Sequence, residues 1–368
     1  MESTLSADAS PVEASVPAAP GVVVAVVVDQ PTTALEEVFG ALGAQDYPNI
    51  QVLVLLTGSD ADELEVVRQI VQATVPTAHI RQLGAHIGFG VAANTALRLV
   101  EGDSGFFLIM HDDVVMAPDA LRILVEELYR SNAGMVGPKF VEWDDSRRLQ
   151  AVGFDCDWFG ELDSVVEPHE LDQEQHDAVR DVFVLSSACV LVRADLFREL
   201  DGFEASIEFF GEDLDLCWRA HLSGARVVVV PAATARHRAS IAERLASRRS
   251  DSATLMRRAE RHRMATVVSL TGRRRLPIVL PLLVVLTFVQ ALGEIARGRW
   301  QRALAGLSGL FGLLTNIGGI TRRRSRVRLL RRVPDHEVVE LQVRGSVRWK
   351  RMIRHRRFTP STNLLAGG

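Results

Sequence analysis

Residues 106–113 read FFLIMHDD, five consecutive apolar residues set directly against a histidine and two acids. An unbroken apolar run of this length fits a strand covered on both faces, as in a parallel sheet. The acids then emerge where the strand ends, which in open α/β sheets is the ligand crevice. Working outward, Val22 to Val28 is a second such run, Val52 to Leu56 a third, and His79 to Gln82 a short further strand. Helical patterns lie between them: Leu35, Val38, Phe39 and Leu42 share one face, and Leu64 to Val71 and Pro118 to Tyr129 follow the same period. Strands alternating with helices over about 120 residues predict an α/β fold with a doubly wound sheet. Further on, Val182 to Val192 reads as strand, Asp213 to Leu222 as helix and Val227 to Val230 as a short final strand, with the domain closing near Arg238. From Val141 to Arg180 the pattern breaks into an acidic, irregular stretch holding Trp143, Trp158 and Phe159. Long loops of this kind are functional or disordered, and these aromatics either meet a ligand or pack as an ordinary insertion.

The chain of 368 residues is 47% apolar and 24% charged, an ordinary globular composition. Its net charge of -4 hides an asymmetry: from Arg273 onward there are 20 Lys plus Arg against 4 Asp plus Glu, so the first 272 residues carry -20. An acidic body with a basic tail argues against a nucleic-acid partner and suits a tail that meets anionic lipid. Cys156, Cys189 and Cys217 are odd in number and lack CxxC spacing, which indicates neither a disulfide framework nor a zinc knuckle. Residues 1–20, rich in Ala, Pro and Ser, read as a disordered leader without a signal peptide's apolar core.

Past the α/β domain, assigned to residues 21–240, residues 241–275 read as a basic helical linker, 276–320 as an apolar helical pair and 321–368 as a basic tail. Leu276 to Ala296 is long enough to span a bilayer's hydrocarbon core, roughly 30 Å at about 1.5 Å per residue. The second stretch, Ala303 to Ile320, is also apolar. Arginines stand before, between and after the two stretches, so a spanning hairpin would strand the middle cluster on the far side. An in-plane or re-entrant pair keeps all three clusters on one side. Burial in a larger assembly is the remaining reading.

Three constellations carry chemistry. The acids after residue 111 suit a hard divalent cation, Mg2+ or Mn2+, bridging to a diphosphate; a plain turn would use the same residues. Asp119, at the start of the next helix, reads instead as a cap. Leu83 to Asn94, LGAHIGFGVAAN, opens a helix with glycines that leave backbone N–H groups open to an anion, although the spacing is not GxGxxG. In Phe209 to Arg219, FFGEDLDLCWR, three acids crowd the first turn of a helix. They either stabilise the helix dipole or provide a general base for an acceptor hydroxyl. His237 follows the last strand and gains interest only beside a metal site.

In this order the pieces resemble glycosyltransferase family 2, in particular actinobacterial cell-envelope members of the rhamnosyl- and galactofuranosyltransferase-like kind. The resemblance covers about Val22 to Arg238 and is carried by LGAHIGFGVAAN, IMHDDV and the run from CVLVRADLFRELDGFE through FFGEDLDLCWR to VVVVPAATARH. It implies a GT-A domain, Rossmann-like and specific for nucleotide-diphospho-sugars, followed by a helical, membrane-associated C-terminal region. It further implies Asp113 as the last acid of the metal motif, with His111 and Asp112 before it, and His237 completing the metal shell. Asp213 falls on the catalytic base with Glu212 in support, while Gly88, Gly90 and Asn94 match the loop beside the nucleotide. The acid that usually ends the second strand is replaced by Leu56, with Asp60 shifted nearby, and His111 replaces a more usual Asp or Asn.

The implied activity is metal-dependent, inverting transfer from a UDP-, dTDP- or GDP-sugar to a glycan or polyprenyl-linked acceptor at the cytoplasmic face of the cell membrane. Two rivals stand beside it. A nucleotidyltransferase would show a basic, glycine-rich loop after the first strand, where this chain has Asp29-Gln30-Pro31-Thr32. A non-catalytic GT-A module binding glycan or partner proteins is favoured by Leu56 and His111 and opposed by the intact Gly211-Glu212-Asp213 region.

Overall fold

The computed structural model describes residues 19–28, 32–57, 60–84, 87–100, 105–207, 210–238 and 249–354. The leader up to residue 18, the start of the linker at 241–248 and residues 355–368 of the basic tail lie outside the described residues. The chain opens with β1 (Val22–Val28), α1 (Leu35–Gly43), β2 (Ile50–Leu56), α2 (Ala61–Thr74), β3 (His79–Gln82), α3 (Phe89–Ala93), α4 (Thr95–Leu99) and β4 (Phe106–His111). It continues through β5 (Val114–Met116), α5 (Ala120–Arg130), β6 (Met135–Glu142), β7 (Leu149–Ala151), β8 (Phe154–Cys156), β9 (Leu162–Ser164), β10 (Arg180–Asp181), β11 (Cys189–Arg193), α6 (Ala194–Glu199), α7 (Glu212–Leu222) and β12 (Val227–His237). Among the described residues six helices follow: α8 (Arg249–Leu270), α9 (Leu276–Ala296), α10 (Trp300–Thr315), α11 (Ile317–Leu330), α12 (Asp335–Glu340) and α13 (Val347–Arg354).

Among the described residues the main sheet runs β10-β12-β6-β11-β4-β1-β2-β3, with β5 beside β12 and β7 beside β6. β1 lies parallel to both β2 and β4, and its side chains alternate between two cores. Val22, Val24, Val26 and Val28 join the layer of α1, α2 and α5. Val23, Ala25 and Val27 join the opposite layer, with Phe197 of α6 and Leu214 of α7. This two-sided burial is why the run carries no polar residue.

The α/β domain departs from the sequence reading in three places. Strand structure begins only at Cys189, because residues 186–188 form a turn in which Ser186 Oγ accepts from Ala188 N at 3.2 Å. The final strand continues to His237, since an irregularity between Val230 and Thr234 absorbs Pro231, which has no N–H to give a ladder. Asp119 stands at the N-cap of α5 but makes no side-chain cap hydrogen bond; its carboxylate lies 3.9 Å from Arg122 instead.

The acidic stretch holds β7, the β8–β9 hairpin and β10, and its tryptophans meet this chain's own cations. Arg236 lies 5.2 Å over Trp143 and Arg275 lies 4.4 Å over Trp158. The C-terminal helices are not separate from the α/β layers either. Met264 and Val267 of α8, Val279 and Leu283 of α9 and Ile320 and Val327 of α11 belong to the same core as α7. Arg323, within the stretch expected to be a basic tail, is buried against Asp215 of α7. The second apolar stretch is two helices bent by 77° at a break near Asn316 rather than one.

Candidate active site

β4 delivers His111 to the sheet edge, and the turn Asp112-Asp113 leads at once into β5. All three side chains are buried, although they are polar. His237 arrives from 124 residues away in sequence because the end of β12 pairs antiparallel with β5, opposite Val114, and Arg238 N donates to the Asp113 carbonyl at 3.1 Å. His237 Nε2 then lies 3.5 Å from Asp113 Oδ1, and His111 Nδ1 lies 3.9 Å from the same oxygen. One donor atom from each of His111, Asp113 and His237 falls within 4.8 Å of the others. Asp112 is buried at the turn but is not one of the three.

The imidazoles are prepared as ligands. Burial pushes the His111 pKa down to about 4 against the raising influence of Asp113, so the ring stays neutral and keeps a lone pair. Its Nε2 is buried without a hydrogen bond among the described residues. Gln150, on β7, holds His237: its Nε2 donates to the His237 carbonyl at 3.1 Å and its Oε1 lies 2.9 Å from Nδ1. Two nitrogen donors and one carboxylate fit a divalent cation, and imidazole nitrogen suits Mn2+ better than Mg2+, which demands oxygen.

The second cluster opens α7. Phe210 and Gly211 adopt positive φ of 61° and 104°, a sharp turn that a residue with a Cβ enters only under strain. It delivers Glu212 and Asp213, both buried. Leu214 N donates to Asp213 Oδ1 at 2.7 Å and Ser187 Oγ to Glu212 Oε1 at 3.4 Å, while Glu212 Oε2 and Asp213 Oδ2 have no hydrogen-bond partner among the described residues. Burial raises the Glu212 pKa to about 7, and burial together with the Glu212 charge raises Asp213 well above the carboxylate range. Asp215, the third acid, is tied to Arg219 at 2.6 Å and to Arg323; these outweigh its burial and hold its pKa low. The two clusters are joined by one turn, since Ser187 reaches Glu212 and the adjacent Ala188 carbonyl accepts from His111 N at 3.0 Å.

The glycine loop is placed differently from the rest. Gly88 caps α3, and a Cβ on Gly90 would stand 2.8 Å from the Phe203 Cβ, so close packing against Phe203 requires glycine there. Both ends of the Asn94 amide are engaged by Phe203: Nδ2 donates to its carbonyl and Oδ1 accepts from its N–H, each at 2.8 Å. Asp60 caps α2 in a capping box with Glu63. Sequence reasoning missed Gln150 and Ser187. It also missed His262 of α8, whose Nδ1 lies 3.3 Å from the Phe210 carbonyl. Gln150 sits in the irregular acidic stretch, where no local pattern marks it.

This layout defines a GT-A-like α/β protein with a metal-type triad beside a carboxylate pair. Residues 18–265 match the family model described as glycosyltransferase like family 2, and the chain belongs to that family. The match extends past Arg238 into α8. Among relatives, the chain is 29% identical over 181 residues to an N-acetylglucosaminyl-diphospho-decaprenol L-rhamnosyltransferase of Mycobacterium tuberculosis, covering 44% of this chain and 59% of the relative. It is 27% identical over 154 residues to a pre-mycofactocin glycosyltransferase of the same species, covering 41% of this chain and 30% of the relative. The chain thus spans less than two thirds of either relative's length. A mannosyltransferase from Pyrobaculum calidifontis, solved in complex with GDP-Man and Mn2+, shares the fold with a TM-score of 0.50 at 16% identity, over 85% of this chain and 86% of that one.

Proposed function

We propose that this protein is a metal-dependent, inverting glycosyltransferase that moves a sugar from a nucleoside diphosphate to a hydroxyl of a glycan or polyprenyl-linked acceptor. The observation that carries the reading is the joining of two buried clusters through the Ser187-Ala188 turn. One is a cation triad, and the other is a carboxylate pair with an unpartnered oxygen on Asp213. His111, Asp113 and His237 would hold Mn2+, or less favourably Mg2+. When bound, the ion stabilises the charge that develops on the departing diphosphate.

The chain's own part is proton transfer and orientation. Asp213 Oδ2 takes the acceptor hydroxyl proton as the hydroxyl oxygen bonds to the anomeric carbon. The bond from that carbon to the diphosphate oxygen breaks on the opposite face, and the nucleoside diphosphate leaves. Attack from the face opposite the leaving diphosphate inverts the configuration, and no covalent enzyme intermediate is required. A carboxyl raised above its ordinary range by burial is a stronger base and better matched to this task than a solvated one. Glu212 supports the elevated pKa of Asp213 through its charge. UDP-, dTDP- and GDP-sugars are the donor classes to test.

Such donors are cytosolic, which orients the site to the cytoplasmic face of the membrane, with the arginine-rich apolar helices against the lipid. The rhamnosyltransferase relative, by its name, acts on a decaprenol-linked substrate, which supports the lipid-linked acceptor class here. Calorimetric titration with the three donor classes, with and without Mn2+, tests the reading. Mn2+-dependent binding of one class, lost in Asp113→Asn, supports it. A folded protein that binds none of them would point instead to a non-catalytic GT-A module.

A further inference from the structure

α9 has two unlike faces. Val279, Leu283, Thr287 and Ala291, spaced by four, form a buried row along the helix. Val279 and Leu283 lie in the core that also contains Leu214 and Met264. The outer face carries Ile278, Leu282, Val285, Phe288, Val289 and Leu292, between 40% and 67% exposed. From Leu276 to Gly293 there is no charged residue at all. The outer row covers roughly 21 Å at about 1.5 Å per residue, and α10 adds exposed Leu304, Phe311 and Leu314. A continuous apolar face of this extent marks a docking surface.

Charge identifies what docks. Arg273 and Arg274 are exposed just before α9, Arg297 between α9 and α10, Arg302 in the first turn of α10, and Arg322 and Arg328 on α11. An apolar row bounded by cations complements an anionic lipid surface, with acyl chains under the row and phosphates at its ends. The buried row decides the orientation. Val279 and Leu283 tie the first two turns of α9 to the core shared with α7 and α8, and the helix packs on α10, which packs in turn on the charged α8. α9 therefore cannot cross a bilayer without drawing that layer into hydrocarbon. α10, with 16 residues, is about 24 Å long and falls short of the roughly 30 Å core.

We propose that α9 lies in the plane of an anionic bilayer surface, its Ile278-to-Leu292 row sunk to the acyl boundary and the flanking arginines on headgroup phosphates. This deepens the membrane part of the proposed function, and its test reads lipid binding rather than sugar transfer.

The full chain is floated with phosphatidylglycerol/phosphatidylcholine vesicles and with phosphatidylcholine vesicles alone. Binding is expected to the first, at least about tenfold weaker to the second, and released by alkaline carbonate. Val285→Asp with Leu292→Asp should lower partitioning by at least about tenfold. Val285→Trp, which keeps the face apolar, should show a blue-shifted emission on adding the anionic vesicles. Mn2+ titration of each variant is recorded separately, so a failed triad is distinguished from a failed surface. Resistance to carbonate would overturn the in-plane arrangement in favour of a span. A dimer in solution that ignores both vesicle types would overturn it in favour of a second copy covering the face.

Discussion

Gln150 holds His237 at two points, donating from Nε2 to its carbonyl oxygen at 3.1 Å and presenting Oε1 to its Nδ1 at 2.9 Å. Because the amide's donor end is committed to the carbonyl, Oε1 must accept from Nδ1–H. The lone pair is therefore on Nε2, the atom that faces Asp113. Partners that fix a ligand's tautomer typically govern metal affinity by about 10–100-fold. Gln150→Ala is expected to weaken Mn2+ binding by about that factor, measured by calorimetric titration. The nitrogen chemical shifts of the imidazole should report a mixture of tautomers. Unchanged affinity would leave Gln150 a packing residue.

Asp213 carries the chemistry in the proposed reaction without belonging to the cation triad. Asp213→Asn removes the base and keeps the shape, so kcat should fall by about 100- to 10,000-fold. Donor affinity in the presence of Mn2+ should stay within about twofold, since Asp113 and both histidines are untouched. A variant that still transferred at the wild-type rate would remove Asp213 from the mechanism.

How much of this was legible before the fold was known depends on the range of the interaction. β1, β4 and α1 are written in local periodicity, because each buries its residues at a fixed spacing of its own. The bend between α10 and α11 and the short β11 are set by packing and by the turn at Ser186, which no local pattern records. The acids after β4 stood out by composition, whereas the approach of His237 to Asp113 depends on the β5–β12 pairing and the absorption of Pro231. Only the family resemblance pointed to it. Gln150 and Ser187 act through single hydrogen bonds across the fold and leave no trace in spacing.

Asn94 illustrates the opposite case, a residue whose motif suggests a nucleotide while its amide is occupied by Phe203. Replacing it with alanine leaves a buried N–H and C=O without partners. The expected cost is about 1–3 kcal/mol in a denaturant melt. Donor affinity measured on the folded fraction should fall by no more than about twofold. A large loss of affinity with unchanged stability would return Asn94 to the nucleotide.

The acid limb of the pH–rate profile follows from the same buried pair. Transfer requires an ionised base, and burial raises both Glu212 and Asp213 above the ordinary carboxylate range, Glu212 to about 7. The acid limb should therefore lie well above the ordinary carboxylate range rather than below pH 5, with the two carboxyls titrating as a unit. Glu212→Gln removes the neighbouring charge that raises Asp213, so it should move the limb to lower pH. An acid limb near pH 4 in the wild-type protein would contradict the assignment.

That pair also sets a sign for stability. Glu212 has a folded-state pKa of about 7 against an ordinary value of 4.5, so the fold prefers its neutral form. The stabilisation is complete below the ordinary value and is lost as pH rises through the folded one. Near pH 8 the wild-type protein must keep a charge that water would solvate better, whereas glutamine at this position never ionises. Glu212→Gln should raise the melting temperature by about 3 °C or more near pH 8, and by much less near pH 5. Thermal melts of both proteins at the two pH values measure the difference directly. An equal shift at both would trace the effect to packing, and a larger gain at the acidic value would reverse the sign and place the elevated carboxyl elsewhere.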